Sequence, residues 1–258
     1  MTTGRSNVRG SDITAALRRV GIGPGDVVFA HSSLSAFGHV EGGADAVIDA
    51  LLDAVGGNGT VVLPAFTWGR YHAVVEPVVF DTAREPVKDE VGIIPETFRL
   101  RPDALRSTHI CHSVAAIGPQ APEVMGDGVK SFGEGSTFAQ LEALDAWYLF
   151  LGAQMGSCTA LHHVEDLMRV PYRAYRDFAG SEIVLADGTR TPCRSVEFLP
   201  KPGVRQDIGK MERVFTERGA LRATTVGDAR VMNLRIRDVV RIGVECLSGD
   251  IEYLFADR

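Results

Sequence analysis

Asp26-Val-Val-Phe-Ala-His31 begins a pattern of strand, helix and strand that ends with Thr60-Val-Val-Leu-Pro64. Both runs are short, apolar and rich in β-branched residues, which is typical of buried strands. Between them, residues 44–55 repeat apolar side chains at helical spacing, and the glycine-rich run at residues 56–59 ends the helix. This order predicts a βαβ unit, which is typical of α/β folds.

Alternating strands and helices are indicated in the rest of the chain as well. The other predicted elements are a helix at residues 11–20, a helix at 93–100, a strand at 114–117, a helix at 137–143 capped by Ser136, a strand at 147–152, a helix that follows it and ends before Pro171, a hairpin around Asp187-Gly188, and helices near 208–218 and 236–247. We therefore predict an α/β fold in a single domain over residues 1–258, with a central, mostly buried sheet flanked by helices.

The composition excludes several classes of protein. With 45% hydrophobic and 23% charged residues in 258, the chain has enough apolar material for a sizeable core. Its formal net charge of -6 argues against nucleic acid as a partner, because phosphate binding depends on clustered Lys and Arg. The four cysteines lack CxxC spacing, so we expect reduced thiols and a cytoplasmic location. No apolar run reaches the roughly 18 residues of a membrane span, so membrane insertion is not expected.

Two segments combine the donors that bind anions. His31-Ser32-Ser33-Leu34-Ser35 follows a predicted strand and leads through glycines into a helix, and helix N-termini bind phosphates. The segment matches neither GxxxxGK[ST] nor GxGxxG, so a nucleoside triphosphate or dinucleotide is not specifically indicated. The alternative is a polar turn with serine caps. In the second segment, Arg106-Ser107-Thr108-His109 and His112-Ser113 place a cation, hydroxyls and imidazoles before a strand, a set that can hold a phosphate or a carbonyl oxygen.

Two other kinds of chemistry are possible for the histidines and cysteines of the chain. A metal site is one alternative, with His109, His112, His162 and Glu165 as ligands, although the HxxH spacing is weak evidence and zinc signatures are absent. Cys111 and Cys158 are candidate nucleophiles, but lone cysteines are more often small core residues. We expect no metal.

The long segment from residue 65 to residue 92 lacks a clear pattern, and such segments usually cover a site. Its acidic residues, Asp81, Glu85 and Glu90, together with Asp166, are candidates for binding a cationic amine.

Thr159-Ala-Leu-His162-His163-Val-Glu165-Asp166 places four ionisable side chains just after a predicted strand. On a helix, His162 shares a face with Glu165 and Asp166, three and four residues on, so a carboxylate can orient the imidazole. Neutral imidazole is the commonest general base near pH 7, and His162 is therefore the candidate base. The alternative is a solvated helix face with local charge pairing.

Taken together and in order, these segments resemble the aminoglycoside 3-N-acetyltransferase family, also called the antibiotic N-acetyltransferase family. The motifs that carry the resemblance are His31-Ser-Ser-Leu34 with Gly38 and Gly42-Gly43, Gly59-Thr-Val-Val-Leu-Pro64-Ala-Phe-Thr67, Pro95-Glu-Thr-Phe-Arg99, Arg106-Ser-Thr-His109 with His112-Ser113, Ala116-Ile-Gly118-Pro, Gly135-Ser-Thr-Phe138, Leu151-Gly152, Thr159-Ala-Leu-His162-His-Val-Glu165 and Val170-Pro-Tyr-Arg173.

The resemblance implies a fold distinct from the common GNAT acetyltransferases, and acetyl transfer from acetyl-CoA to an amine of an aminoglycoside or related aminosugar. It implies that His162 is the general base, that Glu165 orients it, and that Thr159 stabilises the thioester oxyanion. The coenzyme site would be lined by His31, Ser32, Ser33, Leu34, Arg106, Ser107, His109 and Ser113.

The chain departs from the family pattern at three places. Ile110 replaces the usual proline after His109, and the usual SPF reads Ser136-Thr137-Phe138. The family's DHC-like acceptor segment is replaced by Leu199-Pro-Lys-Pro-Gly-Val-Arg205-Gln-Asp207. A metal-dependent hydrolase and a non-catalytic CoA-binding homologue are the competing functions, and the sequence gives no indication of the oligomeric state.

Overall fold

The computed structural model describes residues 6–256. The α-helices of this part of the chain are α1 (Gly10–Arg19), α2 (Gly43–Val55), α3 (Trp68–Tyr71), α4 (Lys88–Val91), α5 (Ile93–Arg99), α6 (Ala121–Val124), α7 (Thr137–Ala143), α8 (Ala160–Leu167), α9 (Met211–Glu217) and α10 (Ile236–Gly249). The strands are β1 (Asn7–Val8), β2 (Val27–Ser32), β3 (His39–Val40), β4 (Thr60–Pro64), β5 (Val79–Asp81), β6 (Leu105–Arg106), β7 (Val114–Ile117), β8 (Trp147–Leu151), β9 (Arg173–Asp177), β10 (Glu182–Val184), β11 (Arg190–Pro192), β12 (Val196–Pro200), β13 (Arg222–Val226) and β14 (Ala229–Arg235).

A mixed seven-stranded sheet forms the centre, with the strand order β13-β14-β8-β2-β4-β7-β6. The three middle strands are parallel, with Val28 opposite Trp147 and Val27 opposite Thr60. The outer strands pair antiparallel to their neighbours. The predicted α/β fold with a central sheet flanked by helices is confirmed.

Helices cover both faces of this sheet, which explains why β2, β4 and β8 are apolar at almost every position. Alternate residues of β2 point to opposite faces. Val28 and Ala30 pack in the cluster that contains the apolar sides of α1 and α2. Phe29 points the other way and stacks on Tyr148, in the cluster that contains the buried residues of α7, α8 and α10. His31, two residues after Phe29, faces the same side and approaches α8.

The carboxyl ends of β2, β4 and β8 lie at one edge of the sheet, where open α/β folds place their ligands. Three smaller sheets lie outside it within residues 6–256. One pairs β1 with β3 in parallel, one consists of β5, β10 and β11, and one pairs β9 with β12 antiparallel. The pairing of β9 with β12 sets Pro200 opposite Arg173, and so brings the segment after β12 beside α8.

Most predicted elements are confirmed within a residue or two, including Ser136 as the cap of α7, whose hydroxyl accepts from Ala139 N–H. The predicted helix near 208–218 begins with a 3-10 turn at Ile208–Lys210. Residues 65–92 contain α3, β5 and α4, so this segment is more ordered than a plain loop. Among residues 6–256, no helix is long and apolar enough to cross a bilayer.

Candidate active site

Two adjoining cavities open at the carboxyl edge of the parallel strands. The larger has a volume of about 1060 Å³ and the smaller about 420 Å³. Phe66, Glu90, Val91 and Thr159 line both of them. The two cavities therefore adjoin one another at Thr159.

The wall of the larger cavity comes from residues 31–35, which follow β2, and from the N-terminus of α2. Gly42 and Gly43 adopt positive φ angles of 81° and 61°, which glycine reaches without strain, and so turn the chain into the helix. No side chain of the described residues caps α2, and its first backbone N–H groups are left for a ligand. The Ser32 Oγ atom is buried and has no hydrogen-bond partner within residues 6–256.

His31 lines the larger cavity beside Thr159, and its ring is held by the core behind it. Its Nε2 atom is 2.9 Å from the Tyr148 hydroxyl and 3.4 Å from Thr159 Oγ1. The Tyr148 hydroxyl accepts from Ala160 N–H, so its proton is free to be donated to His31. Burial lowers the pKa of His31 to about 3. The ring is therefore neutral and acts as a fixed part of the wall.

His162 projects from α8 into the smaller cavity, and Glu165 lies behind it on the same helix. The His162 Nδ1 atom lies 2.7 Å from Glu165 Oε2, as expected for side chains three residues apart on a helix. The His162 side chain remains 23% exposed, whereas Glu165 is fully buried. Burial and the charge of Arg173 lower the pKa of His162, although Glu165 opposes this, so the imidazole is neutral at pH 7. The predicted His162–Glu165 pair is thus present in the structure.

Arg173, at the start of β9, completes this cluster. Its Nε atom is 2.7 Å from Glu165 Oε2, and its Nη2 atom is 2.9 Å from His162 Nδ1. Gln206 accepts from Arg173 Nη2 at 2.7 Å and donates to Glu165 Oε1. Burial alone would raise the pKa of Glu165, but the hydrogen bond from His162 and the charge of Arg173 outweigh it and lower that pKa.

A second imidazole–carboxylate pair lines the smaller cavity. His112 Nδ1 is 3.0 Å from Oε2 of Glu197, which is fully buried. Burial would raise the pKa of Glu197, but His112 overcomes this effect and lowers it. Glu197 Oε1 is buried without a hydrogen-bond partner in the described part of the chain. The Phe132 ring lies between the two pairs, 4.9 Å from the His112 ring and 5.6 Å from the His162 ring.

Four of the predicted coenzyme residues line neither cavity. Arg106 donates to the carbonyls of residues 65, 82 and 85 and to Ser113 Oγ, and burial lowers its pKa to about 10. Ser113 donates to Ala65 O, and Ser107 accepts from Val114 N–H. His109 accepts two backbone N–H groups at Nδ1. These side chains hold together the loop that positions His112.

Three predicted substrate residues also lie outside both cavities. Asp81 accepts from the backbone N–H groups of residues 83 and 84, and Glu85 pairs with Arg70. Asp166 accepts from the Tyr175 hydroxyl. By contrast, Glu90 of the same acidic segment lines both cavities.

His109, His112 and Glu197 bring potential metal-ligand atoms within 4.8 Å of one another. The hydrogen bonds do not fit a metal site, because His109 uses Nδ1 as an acceptor and its Nε2 atom is 3.2 Å from Val196 O. Both nitrogens of that ring are engaged by the backbone. Our expectation that the protein holds no metal stays a prediction.

Comparison with known proteins identifies the family. The family model described as aminoglycoside 3-N-acetyltransferase matches residues 29–248. The chain belongs to the aminoglycoside 3-N-acetyltransferase family. Aminoglycoside N(3)-acetyltransferase VII of Streptomyces paromomycinus is 33% identical over 259 residues, which cover 90% of this chain and 88% of the relative. The family and enzyme class predicted from the sequence are confirmed.

Two solved structures of aminoglycoside acetyltransferases are similar throughout. AAC-IIIb in a binary complex with CoASH has a TM-score of 0.81 and 26% identity, over 98% of this chain and 100% of that one. A mutant of AAC(3)-IVa in complex with a gentamicin has a TM-score of 0.80 and 26% identity, over 99% of this chain and 94% of that one.

Sequence reasoning missed three polar residues that line the smaller cavity, namely Arg173, Glu197 and Gln206. Arg173 lies in the motif Val170-Pro-Tyr-Arg173, but the motif does not indicate a role for its side chain. Glu197 lies in an otherwise apolar run at residues 196–200, and a single acidic residue in such a run indicates a buried charge with a specific partner. No local pattern distinguishes Gln206.

Proposed function

We propose that the chain is an acetyl-CoA-dependent N-acetyltransferase that acetylates an amine of an aminoglycoside or related aminosugar by direct transfer, with His162 as the general base. The observation that carries this proposal is the meeting of the two cavities at Thr159, with His162 on the wall of the smaller one. A donor in the larger cavity and an acceptor in the smaller one would then bring thioester and amine together beside an imidazole.

The larger cavity suits the coenzyme. Its volume of about 1060 Å³ is large enough for a sizeable cofactor. The N-terminus of α2 provides a favourable place for phosphate groups. The similarity to AAC-IIIb bound to CoASH supports the same ligand here. We propose that His31, Ser32, Ser33 and Leu34 contact the coenzyme, and that Arg106, Ser107, His109 and Ser113 support the site from behind.

Coenzyme binding should raise the melting temperature. A ligand at a hundredfold excess over its dissociation constant stabilises the native state by about 2.7 kcal/mol, and a protein of this size gains about 2–4 °C per kcal/mol. We expect a shift of that order with millimolar CoA. Ser33→Asp, which adds a negative charge to the cavity wall, should abolish the shift, whereas Ser11→Asp on α1 should retain it. An unshifted wild-type protein would contradict the donor assignment.

The smaller cavity suits a cationic aminosugar. Glu90 and the orphaned Oε1 atom of Glu197 present negative charge, and the rings of Phe132 and Trp68 supply apolar faces. These two carboxylates take the place of the predicted Asp81, Glu85 and Asp166 in our proposal. The complex of the AAC(3)-IVa mutant with a gentamicin supports an aminoglycoside as the acceptor.

Glu197→Gln should weaken acceptor binding. A hydrogen bond to a charged group contributes about 1.5–3 kcal/mol, which corresponds to about a tenfold to hundredfold higher KM for the acceptor. The KM for acetyl-CoA should stay unchanged. Glu182→Gln, on β10 and outside both cavities, is the control for loss of one negative charge. If acceptor KM is equal in wild type and Glu197→Gln, this carboxylate does not bind the acceptor amine.

The proposed reaction transfers the acetyl group directly from the thioester to the amine. An ammonium has no lone pair, so the acceptor first loses one proton to solvent; the neutral amine nitrogen then attacks the thioester carbonyl carbon while His162 Nε2 takes a second proton from it. The carbon–sulfur bond then breaks, and the coenzyme thiolate receives the proton. We propose that Thr159, which lines both cavities, stabilises the oxyanion. Burial raises the pKa of the Cys158 thiol to about 12 and that of Cys111 as well, so neither is poised as a covalent nucleophile.

We also propose that the whole chain is one domain and works in the cytoplasm. Strands from residues 27–32 to residues 229–235 share the central sheet, which supports a single domain. The four cysteines, all within the described residues, are unpaired, which supports a reducing compartment.

A further inference from the structure

His162 Nδ1 has two competing neighbours. Glu165 Oε2, at 2.7 Å, can only accept a hydrogen bond, and Arg173 Nη2, at 2.9 Å, can only donate one. A ring nitrogen carries either a hydrogen or a lone pair, so it satisfies one of these partners and not both. The neutral imidazole therefore has two tautomers in this cluster, and the balance between the two neighbours selects one.

Only one tautomer serves as a base toward the cavity. If Nδ1–H donates to Glu165, Nε2 carries a lone pair, and this atom has no hydrogen-bond partner among the described residues. If Nδ1 accepts from Arg173, the hydrogen sits on Nε2, and no lone pair faces the acceptor amine. The orientation of Glu165 and Arg173 is therefore as important as their presence.

Gln206 contacts both competitors. Its Nε2 atom donates to Glu165 Oε1, and its Oε1 atom accepts from Arg173 Nη2 at 2.7 Å. The amide thus holds the carboxylate with Oε2 toward His162 and ties up one Nη2 hydrogen of the guanidinium. We propose that Gln206 is a positioning residue that keeps His162 in the Nδ1–H tautomer, a role that rests on the proposed function of His162 as the base.

Backbone pairing on both sides of Gln206 holds this residue beside Glu165 and Arg173. Gln206 forms an antiparallel bridge with Phe255. On either side of it, Asp207 N–H donates to Leu254 O at 2.9 Å, and Ala256 N–H donates to Arg205 O at 3.0 Å. Gln206 lies in the segment that follows β12. The C-terminal end of the described chain therefore fixes the segment that orients the catalytic pair.

The test uses two substitutions with different chemistry. Gln206→Leu removes both hydrogen bonds. Gln206→Glu keeps the size and the acceptor for Arg173, but replaces the donor to Glu165 by a like-charged oxygen. Gln140→Leu and Gln140→Glu are the matched controls, because Gln140 lies on α7 outside both cavities.

Nitrogen-15 NMR of histidine-labelled protein reports the tautomer directly, with the His162 signals assigned from their loss in His162→Ala. We expect the Nδ1–H form in the wild type and in both Gln140 variants, and a shift toward the Nε2–H form in both Gln206 variants. In serine proteases the wrong tautomer costs about 10⁴ in kcat, and because Gln206 acts through Glu165 and Arg173 we expect a loss of about tenfold or more. The KM for acetyl-CoA should not change.

Three results would overturn the proposal: an Nε2–H tautomer in the wild type, an unchanged tautomer in both Gln206 variants, or an undiminished kcat in variants whose tautomer has changed. The NMR measurement needs no substrate. Absence of acetyl transfer by the wild type would therefore count against the proposed function alone, while the tautomer would still decide what Gln206 does.

Discussion

His162→Ala should lower kcat for acetyl transfer by about a hundredfold to ten-thousandfold, the usual value of general acid–base catalysis. The attacking ammonium must lose a proton, and His162 supplies the neutral imidazole on the wall of the smaller cavity. Because its pKa lies below the ordinary value of 6.5, the wild-type rate should fall only in the acid range below that value. Steady-state kinetics across pH 5 to 9 will measure both effects, and the CoA-induced melting shift should survive the substitution.

His163 is the neighbouring control, but its role is structural. The ring is buried, accepts from Gly133 N–H at 3.0 Å through Nδ1, and lies 3.0 Å from Glu142 through Nε2. His163→Ala leaves that backbone donor unpaired, and we expect a loss of about 1–3 kcal/mol in stability. Rates must therefore be normalised to folded protein. If His163→Ala then has the lower kcat of the two variants, His162 is not the base.

Glu165→Gln should have the largest effect on stability. Glu165 is fully buried and neutralises Arg173, whose side chain is only 5% exposed. Removing one partner of a buried ion pair typically costs about 3–5 kcal/mol, because the other charge stays in the interior. Urea unfolding will measure this loss. The reduction of kcat should be smaller than in His162→Ala, and the acid limb of the pH profile should move to lower pH, since Glu165 raises the pKa of His162 and Arg173 lowers it.

A double-mutant cycle separates the ion pair from other contacts. Arg173→Met alone should also destabilise the protein, because it strands the carboxylate and loses the bond to Phe198 O. The double variant Glu165→Gln with Arg173→Met should recover part of the lost stability, since no unpaired charge remains. Strictly additive losses would contradict a direct coupling between the two side chains.

The fold was predictable where the pattern is local. The run from residue 26 to residue 64 specifies a βαβ unit by its apolar periodicity, and β2, α2 and β4 appear within a residue of the predicted bounds. Among the strands of the C-terminal third, the hairpin of β10 and β11 around Asp187-Gly188 was predicted, and the others were not. In β9 and β13, charged and exposed residues alternate weakly with buried ones, because these strands lie outside the middle of the main sheet. Their pairing depends on distant partners that no local window contains.

The residues of the candidate site also fall into two groups, those that local spacing predicts and those that only the tertiary structure brings to the site. The pairing of His162 with Glu165 follows from helical spacing over three residues, and the structure shows it. Glu197 reaches the site because β12 pairs with β9, and Gln206 because its backbone pairs with residues 254–256; neither register is visible in the sequence. Asp81, Glu85 and Asp166 have the right charge for a cationic substrate, but tertiary contacts give them other partners. Residue type predicted the chemistry, and topology decided which residues take part.

The most direct test is thiol release from acetyl-CoA by the purified protein with a panel of aminoglycosides, compared with His162→Ala under the same conditions. The wild type should release the thiol in proportion to the formation of an acetylated aminoglycoside, detected by mass spectrometry, with at least one member of the panel. The variant should bind CoA and release thiol at least about a hundredfold more slowly. No acceptor-dependent release by a wild-type protein that binds CoA, or equal rates for the two proteins, would contradict the account.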